Sequence, residues 1–338
     1  MEKMPMSTAN PLESAPRTGW KPPDAVLREA TVRFGITPDT LRFISATTNC
    51  VYAWPCPDGA WRILRISRRP ETGLASMQAE MDWMGWLARN GILVPEPVPD
   101  AEGRTVSAFH AAGHCWLLAA FTAVPGVDWN RDDPSLWNES IWLAWGRLVG
   151  DMHRLAKERA RNGTPLARPD FDGTHHGLER LAACPEADRL LADWRAKMAD
   201  LPRDGESWGI LHYDVHPWNF RIHQGRLWLF DFDDTLHGWF ALDIGVALYH
   251  GLWWGRRRTD GEDVAGPLVR RFMEGYCQAN RLDAFWTGQI PFFMTYRQLC
   301  KFSWFFRPEA DAHQEERLAN LLAGRLFTGF DLDPGWLG

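Results

Sequence analysis

No stretch of this sequence approaches the roughly 20 consecutive apolar residues that a membrane-spanning helix needs, so no membrane span is expected. Lysine is scarce, at positions 3, 21, 157, 197 and 301 only, and the formal net charge is −6. A nucleic-acid partner would require a basic face, so that class is excluded, and any phosphate contact falls mainly to arginine. The cysteines, at 50, 56, 115, 184, 277 and 300, include no C-x-x-C pair, which removes the common zinc and redox motifs. Such isolated cysteines fit reduced thiols in a cytoplasmic protein. Residues 1–23 have no apolar segment of the kind a signal peptide carries, and read as a flexible leader. Internal repeats and a G-x-G-x-x-G motif are also missing.

Tryptophan, by contrast, is abundant at 20 residues; most are expected to pack the interior, leaving a few to line a ligand pocket. Periodicity predicts a short helix over 24–35, then strands in LRFISA, CVYAW and WRILRIS, the last two divided by a Pro57-Asp58-Gly59 turn. An apolar stripe of Leu74, Met77, Met81, Met84 and Leu87 predicts a helix over 74–90, closed by Gly91. TVSAF and CWLLAAFT read as further strands, and Val124-Pro125-Gly126 as a hinge. Helices are expected over 136–156, 177–199, 241–252, 263–280 and 285–306. The class is therefore α+β: a small β-rich lobe over 24–121 and a larger, mainly helical lobe over 122–338.

Residues 208–234, WGILHYDVHPWNFRIHQGRLWLFDFDD, carry the chemistry. An apolar run leads into a polar loop, His212 to Asn219. Two short strands follow, Phe220 to His223 and Leu227 to Phe230, joined by Gln224-Gly225. Such a hairpin would bring Asn219 at its start near Asp231 at its end. Magnesium takes oxygen ligands, typically one or two carboxylates completed by phosphate and water, and Asp231 with Asn219 suits that task. Asp214 is then free to accept a proton from an acceptor hydroxyl. Phosphoryl transfer asks for little more than positioning, charge neutralisation and an aligned nucleophile.

H-x-D-x-H-P-x-N followed by F-D-F-D-D resembles the aminoglycoside phosphotransferase and choline kinase family, which is similar to the protein kinases. Its type II homoserine kinase-like and stress response kinase-like members are nearest in motif. The resemblance, over about residues 40–310, implies a bilobal protein kinase-like fold and an ATP- or GTP-dependent kinase acting with Mg2+. It makes 24–121 the nucleotide-binding lobe and 122–338 the catalytic and acceptor-binding lobe. It implies that Asp214 is the catalytic base with His216 in support, that Asn219 and Asp231 bind metal, and that Asp233 assists a second metal. Tyr213 stands where the family usually has Gly. Asp243 matches a family Asp and reads as a helix N-cap bracing the catalytic loop.

The first lobe should then hold a cation for the nucleotide phosphates and a glutamate to pair with it. Arg65 alternates with Trp61 and Ile63 on one strand face, and Glu80 falls within the apolar helix stripe; pairing explains both charges. Ser45, Thr47 and Asn49 occupy the phosphate-loop hairpin, while Ala120 and Thr122 fall where the family's linker contacts adenine. For the acceptor, the candidates are Tyr249, Trp253, Arg297 and Trp304. An aromatic cage favours an amino alcohol, whereas Arg297 with Lys301 favours a hydroxy amino acid; an aminoglycoside-like acceptor fits the family. Two other readings compete: a Ser/Thr protein kinase of the same fold, and a metallohydrolase using His212, Asp214 and His216. A nucleotide-binding module without turnover is a third, which the retained Asp214, Asn219 and Asp231 oppose.

Overall fold

A computed structural model of the chain describes residues 20–70, 73–163, 165–175, 177–307, 312–326 and 332–337. Most of the expected leader, residues 1–19, lies outside them. The chain is α+β and divides into two compact units.

The first unit holds the described residues up to Asp128, together with Leu166–Arg168 and Arg221–Asp233. Its main sheet comprises β1 (Arg42–Ala46), β2 (Cys50–Pro55), β3 (Trp61–Arg68), β4 (Pro97–Val98), β5 (Val106–Ala111) and β6 (His114–Thr122). The order is β1-β2-β3-β6-β4, all antiparallel, with β5 also pairing β6. The period of two in β3 sends Leu64 and Ile66 to one face, where they pack with Tyr52, Trp54 and Leu118 and with Val26 and Ala30 of α1 (Asp24–Arg33). Arg65 takes the opposite face. There α2 (Gly73–Arg89) buries Met77, Met81, Met84 and Leu87. That helix ends where Gly91 adopts φ 86 and the Ile92 N–H returns to the Leu87 carbonyl at 3.1 Å, a left-handed cap that only glycine makes without strain.

A second, three-stranded sheet runs β10-β9-β7, from β7 (Val127–Asp128), β9 (Phe220–His223) and β10 (Arg226–Leu229). The β9–β10 turn is the expected Gln224-Gly225, with φ values of 52 and 71, so both central residues are left-handed as a two-residue hairpin requires. The Leu229 N–H donates to the Leu93 carbonyl at 3.0 Å and ties the hairpin to the segment after α2.

The second unit contains Trp129–Pro165, Pro169–Phe220 and the rest of the chain from Asp234. Its helices are α3 (Glu139–Asn162), α4 (Pro185–Ala199), α5 (Phe240–Gly255), α6 (Ala265–Ala279), α7 (Ala284–Gly288), α8 (Ile290–Phe305) and α9 (Ala312–Leu322). α3 and α6 approach closely through glycine: a Cβ at Gly146 would stand 1.8 Å from the Phe272 carbonyl oxygen, and one at Gly275 would stand 2.0 Å from that of Leu143. Two helices expected to be continuous are broken. The 177–199 segment is a 3-10 turn, Leu178–Ala183, followed by α4, and the 285–306 segment divides into α7 and α8. Each new helix carries proline in its first turn, Pro185 and Pro291, where the missing N–H costs nothing. A short ladder between β8 (Trp208–Leu211) and β11 (Leu236–Trp239) supports the polar loop; β11 is not among the strands expected. Among the described residues no helix is long and apolar enough to cross a membrane.

Candidate active site

In the first unit, Arg65 and Glu80 meet as the alternation and the helix stripe require. Arg65 Nη1 and Nη2 each donate to one Glu80 carboxylate oxygen at 2.8 Å, with the residues 6% and 1% exposed. Burial disfavours the guanidinium charge, but Glu80, helped by Asp233 and Asp231, holds its pKa above the ordinary range. The Phe121 ring, with its centroid 5.2 Å from the guanidinium carbon, adds a cation–π contact.

Asn49 and Asp233 join this cluster. The Asn49 amide donates to Asp233 Oδ2 at 3.1 Å while its own Oδ1 accepts from Ser67 Oγ at 2.6 Å. Arg69 Nη2 lies 2.5 Å from both Asp233 carboxylate oxygens. Burial opposes the Asp233 charge, yet Arg65 and Arg69 outweigh it and lower the pKa. Asp231, two residues earlier, is exposed and adopts φ 65, a left-handed backbone that is costly for a non-glycine residue. Ser45 is half-buried on β1, and Thr47 is exposed at the hairpin tip, its carbonyl accepting from Trp20 Nε1 at 2.9 Å. Ala120 lies on β6 opposite Leu64 and Val98. Thr122 exchanges hydrogen bonds with Glu96: its N–H donates to the Glu96 carbonyl and its Oγ1 accepts the Glu96 N–H, both at 2.9 Å. The Thr122 amide is thus committed within the protein.

In the second unit the polar loop begins at His212, where β8 ends. Tyr213 adopts φ 67, which accounts for the glycine expected at this position from the resemblance. Asp243 holds the strained turn: its carboxylate accepts the His212 N–H at 3.0 Å and the Tyr213 N–H at 2.7 Å. The brace is as expected but the N-cap is not. α5 starts after Trp239, so Asp243 lies inside the first turn, with its side chain directed back to the loop. His153 on α3 completes the brace, with Nε2 3.2 Å from Asp243 Oδ2 and Nδ1 3.0 Å from the Tyr276 hydroxyl. Burial lowers the His153 pKa and favours the neutral ring. A carboxylate can only accept, so Nε2 carries the proton and Nδ1 accepts from Tyr276. Sequence reasoning missed His153; its signal was a histidine on the buried stripe of an amphipathic helix.

Asp214 sits at the centre of the loop. Oδ2 accepts from Asn219 Nδ2 at 3.0 Å and lies 3.2 Å from His216 Nε2, while Oδ1 accepts a short bond from Arg297 Nη2. Burial pushes this carboxyl up, but His216 and Arg297 hold it well below the usual carboxylate range. A 3-10 turn over Pro217–Asn219 places Asn219 so that its amide nitrogen faces Asp214. The Asn219 amide is thereby oriented, and its Oδ1 takes part in no hydrogen bond among the described residues. An oxygen donor held in this way suits a hard divalent cation.

Arg297 is 2% exposed on α8, with Nε donating to His250 Nε2 at 2.9 Å. Burial and the neighbouring Arg297 drive the His250 pKa far down, so the ring is neutral and can accept that bond. Tyr249 is 1% exposed, and Trp253 stacks with Trp254, their centroids 5.3 Å apart. Trp304 is 38% exposed, with His175 at 5.4 Å and the Lys301 ammonium 3.7 Å from its ring centroid. Asp214, His216, Asn219 and Arg297 are thus brought together in one unit, and Arg65, Glu80, Asn49 and Asp233 in the other. The His212 ring is 1% exposed and its Nδ1 accepts the Asp214 N–H at 3.3 Å, a structural use unlike the hydrolase reading. Among the described residues, no group of three His, Cys, Asp or Glu is arranged to hold a metal ion.

Residues 57–285 match the model of the phosphotransferase enzyme family. The chain is 31% identical over 285 residues to amicoumacin kinase of Bacillus subtilis (strain 168), covering 82% of each. Among solved structures, amicoumacin kinase hAmiN in complex with AMP-PNP, Ca2+ and Ami matches with a TM-score of 0.79 at 26% identity, over 91% of this chain and 96% of that one. A microcompartment-associated aminopropanol kinase shares the fold, with a TM-score of 0.64 at 19% identity over 89% and 94% of the two chains.

Proposed function

This chain belongs to the phosphotransferase enzyme family, with its protein kinase-like α+β fold and small-molecule kinase activity, and we propose that it phosphorylates a hydroxyl of amicoumacin or a closely similar acceptor. The observation that carries the acceptor is the match to amicoumacin kinase over 82% of both chains. ATP is the phosphoryl donor in this reading, with GTP as a second candidate, and a divalent cation accompanies it.

Asp214 is the base. Its carboxylate is fixed by Asn219, His216 and Arg297, yet each carboxylate oxygen has two acceptor sites, so one remains for a substrate hydroxyl. As the hydroxyl oxygen bonds to the γ-phosphorus, its proton passes to Asp214 and the bond to the leaving nucleoside diphosphate breaks. Arg65, held by Glu80, supplies the cation for the nucleotide phosphates. Ser45 and Thr47 on the β1–β2 hairpin line the phosphate side, whereas Ala120 is buried in the core and the Thr122 amide is committed to Glu96, so neither is assigned to the base. Asp231 and Asn219 would hold Mg2+, whose role when bound is to neutralise phosphate charge. His216 steadies Asp214. Trp253 and Trp304 offer aromatic surface to the acceptor, with Tyr249 and Arg297 behind them.

The test is a mass-spectrometric screen with ATP and GTP against amicoumacin, amino alcohols, hydroxy amino acids and aminoglycosides. Phosphorylated amicoumacin is expected, and Asp214→Asn should lower its turnover by about 10²–10⁴-fold while nucleotide still binds. Turnover of a different class alone would overturn the acceptor. Unchanged turnover in the Asp214 variant would overturn the base.

A further inference from the structure

The last residue of the first unit, Asp233, is bound on every side. Arg69 Nη2 reaches both carboxylate oxygens at 2.5 Å, the Asn49 amide donates to Oδ2 at 3.1 Å, and Arg65 Nη1 lies 4.0 Å from Oδ1. Its backbone carbonyl accepts from Arg168 Nη2 at 2.5 Å. Arg168 in turn donates through Nη1 to Ser76, to the carbonyl at 3.1 Å and to Oγ at 2.9 Å, on the helix that carries Glu80. Phe232, one residue earlier, is 1% exposed. The segment is therefore pinned to the β1–β2 hairpin, to the end of β3 and to α2.

A carboxylate already accepting from one guanidinium and one amide, with a second guanidinium close by, is a poor ligand for a further cation, because like charges would crowd it. The strained Asp231 backbone, at φ 65, also needs its surroundings to over-determine it, and the clamp on Asp233 supplies that restraint two residues away.

From this geometry we infer that Asp233 and Arg69 form a positioning pair: they hold the Asp231 turn in register with Arg65 and Glu80, and Asp233 ligates no metal. The inference rests on the phosphotransferase reading, since it assigns how the nucleotide half of that site is aligned. Arg168 extends the same clamp through the backbone.

Calorimetric titration of Mg-ATP and steady-state kinetics test it on the full chain, with Arg69→Gln, Asp233→Asn, the double variant and Arg69→Lys. Each neutral single variant should raise Kd and KM for Mg-ATP about 10-fold, leave the acceptor KM unchanged, and combine with no further loss. Arg69→Lys should recover part of the affinity. The free-Mg2+ dependence of Asp233→Asn at saturating ATP should match that of the unsubstituted protein. Additive losses, or a Asp233→Asn defect repaired by excess Mg2+ while Arg69→Gln is neutral, would overturn the pair. Failure of the unsubstituted protein to bind Mg-ATP would overturn the kinase reading and the pair with it. Asp233→Asn nearly conserves shape, and thermal melts without nucleotide confirm that each variant is folded.

Discussion

At the scale of single residues, burial of charge separates the cations of this protein by what faces them. Arg65 is 6% exposed and tolerated because Glu80 binds both arms of its guanidinium. Lys301 on α8 is 5% exposed and faces the Trp304 ring, with Arg297 one turn earlier. Burial, then Arg297, pulls its pKa down to about 7, against the partial relief of Asp214, Cys300 and Asp234. The folded value is therefore below the unfolded one. Below about pH 7 both states carry the proton and the full penalty on the folded state is present; between 7 and the unfolded value, the unfolded chain binds more protons, so stability rises with pH. Lys301→Met should remove that rise and stabilise the protein at pH 6 by roughly 1 kcal/mol or more, as urea melts at pH 6, 8 and 9.5 would register. A variant with the original slope would contradict the assignment. Sequence alone disclosed Arg65 and Glu80, because each broke an otherwise apolar face of known period. It could not disclose what Arg69, Arg168 and Arg297 bind: their partners stand 164, 65 and 83 residues away, and no local period reports a contact at that range. Arg297 consequently read as an acceptor contact, whereas its guanidinium is taken up by Asp214 and His250.

At the scale of elements, the legible features were those with a local cause. The Gln224-Gly225 hairpin and the Gly91 helix end follow from their glycines, which take left-handed backbone without strain. The breaks before α4 and α8 were missed, because an apolar stripe continues in phase across Pro185 and Pro291 while the hydrogen-bond ladder does not. β11 was missed because its four residues, Leu236–Trp239, show no alternation and owe their strand to pairing with β8. The α3–α6 contact is also invisible to periodicity, yet it sets a strict test. A Cβ at Gly146 would stand 1.8 Å from a backbone oxygen, which cannot rotate away as a side chain could. Gly146→Ala should therefore destabilise by about 1–3 kcal/mol, the usual cost of overpacking. Gly288→Ala, where no atom of the described residues lies within 4 Å of an added Cβ, should stay within about 0.5 kcal/mol. Chemical denaturation of the pair decides it, and equal stability of the two variants would refute the close approach.

At the scale of the whole molecule, the chain does not divide at one point. The first unit collects Leu166–Arg168 and Arg221–Asp233 from later in the chain, so Asp231 and Asp233 belong to the same compact body as Arg65 and Glu80. Nucleotide affinity and catalysis should then separate by mutation. A ligand bound only to the folded protein stabilises it by about 2.7 kcal/mol at a hundredfold excess over Kd, which for a chain of this size raises the melting temperature by roughly 5 °C. Mg-ATP should produce a shift of that order. Asp231→Ala removes a proposed metal ligand from the nucleotide half and should abolish most of it. Asp214→Asn alters a residue of the other unit, one assigned to the proton of the acceptor, and should retain it while turnover collapses. Thermal melts with and without Mg-ATP, run beside a turnover assay, place the two variants on different axes. Loss of the shift in Asp214→Asn to the same extent as in Asp231→Ala would overturn the separate assignment of the base role to Asp214 and the metal role to Asp231.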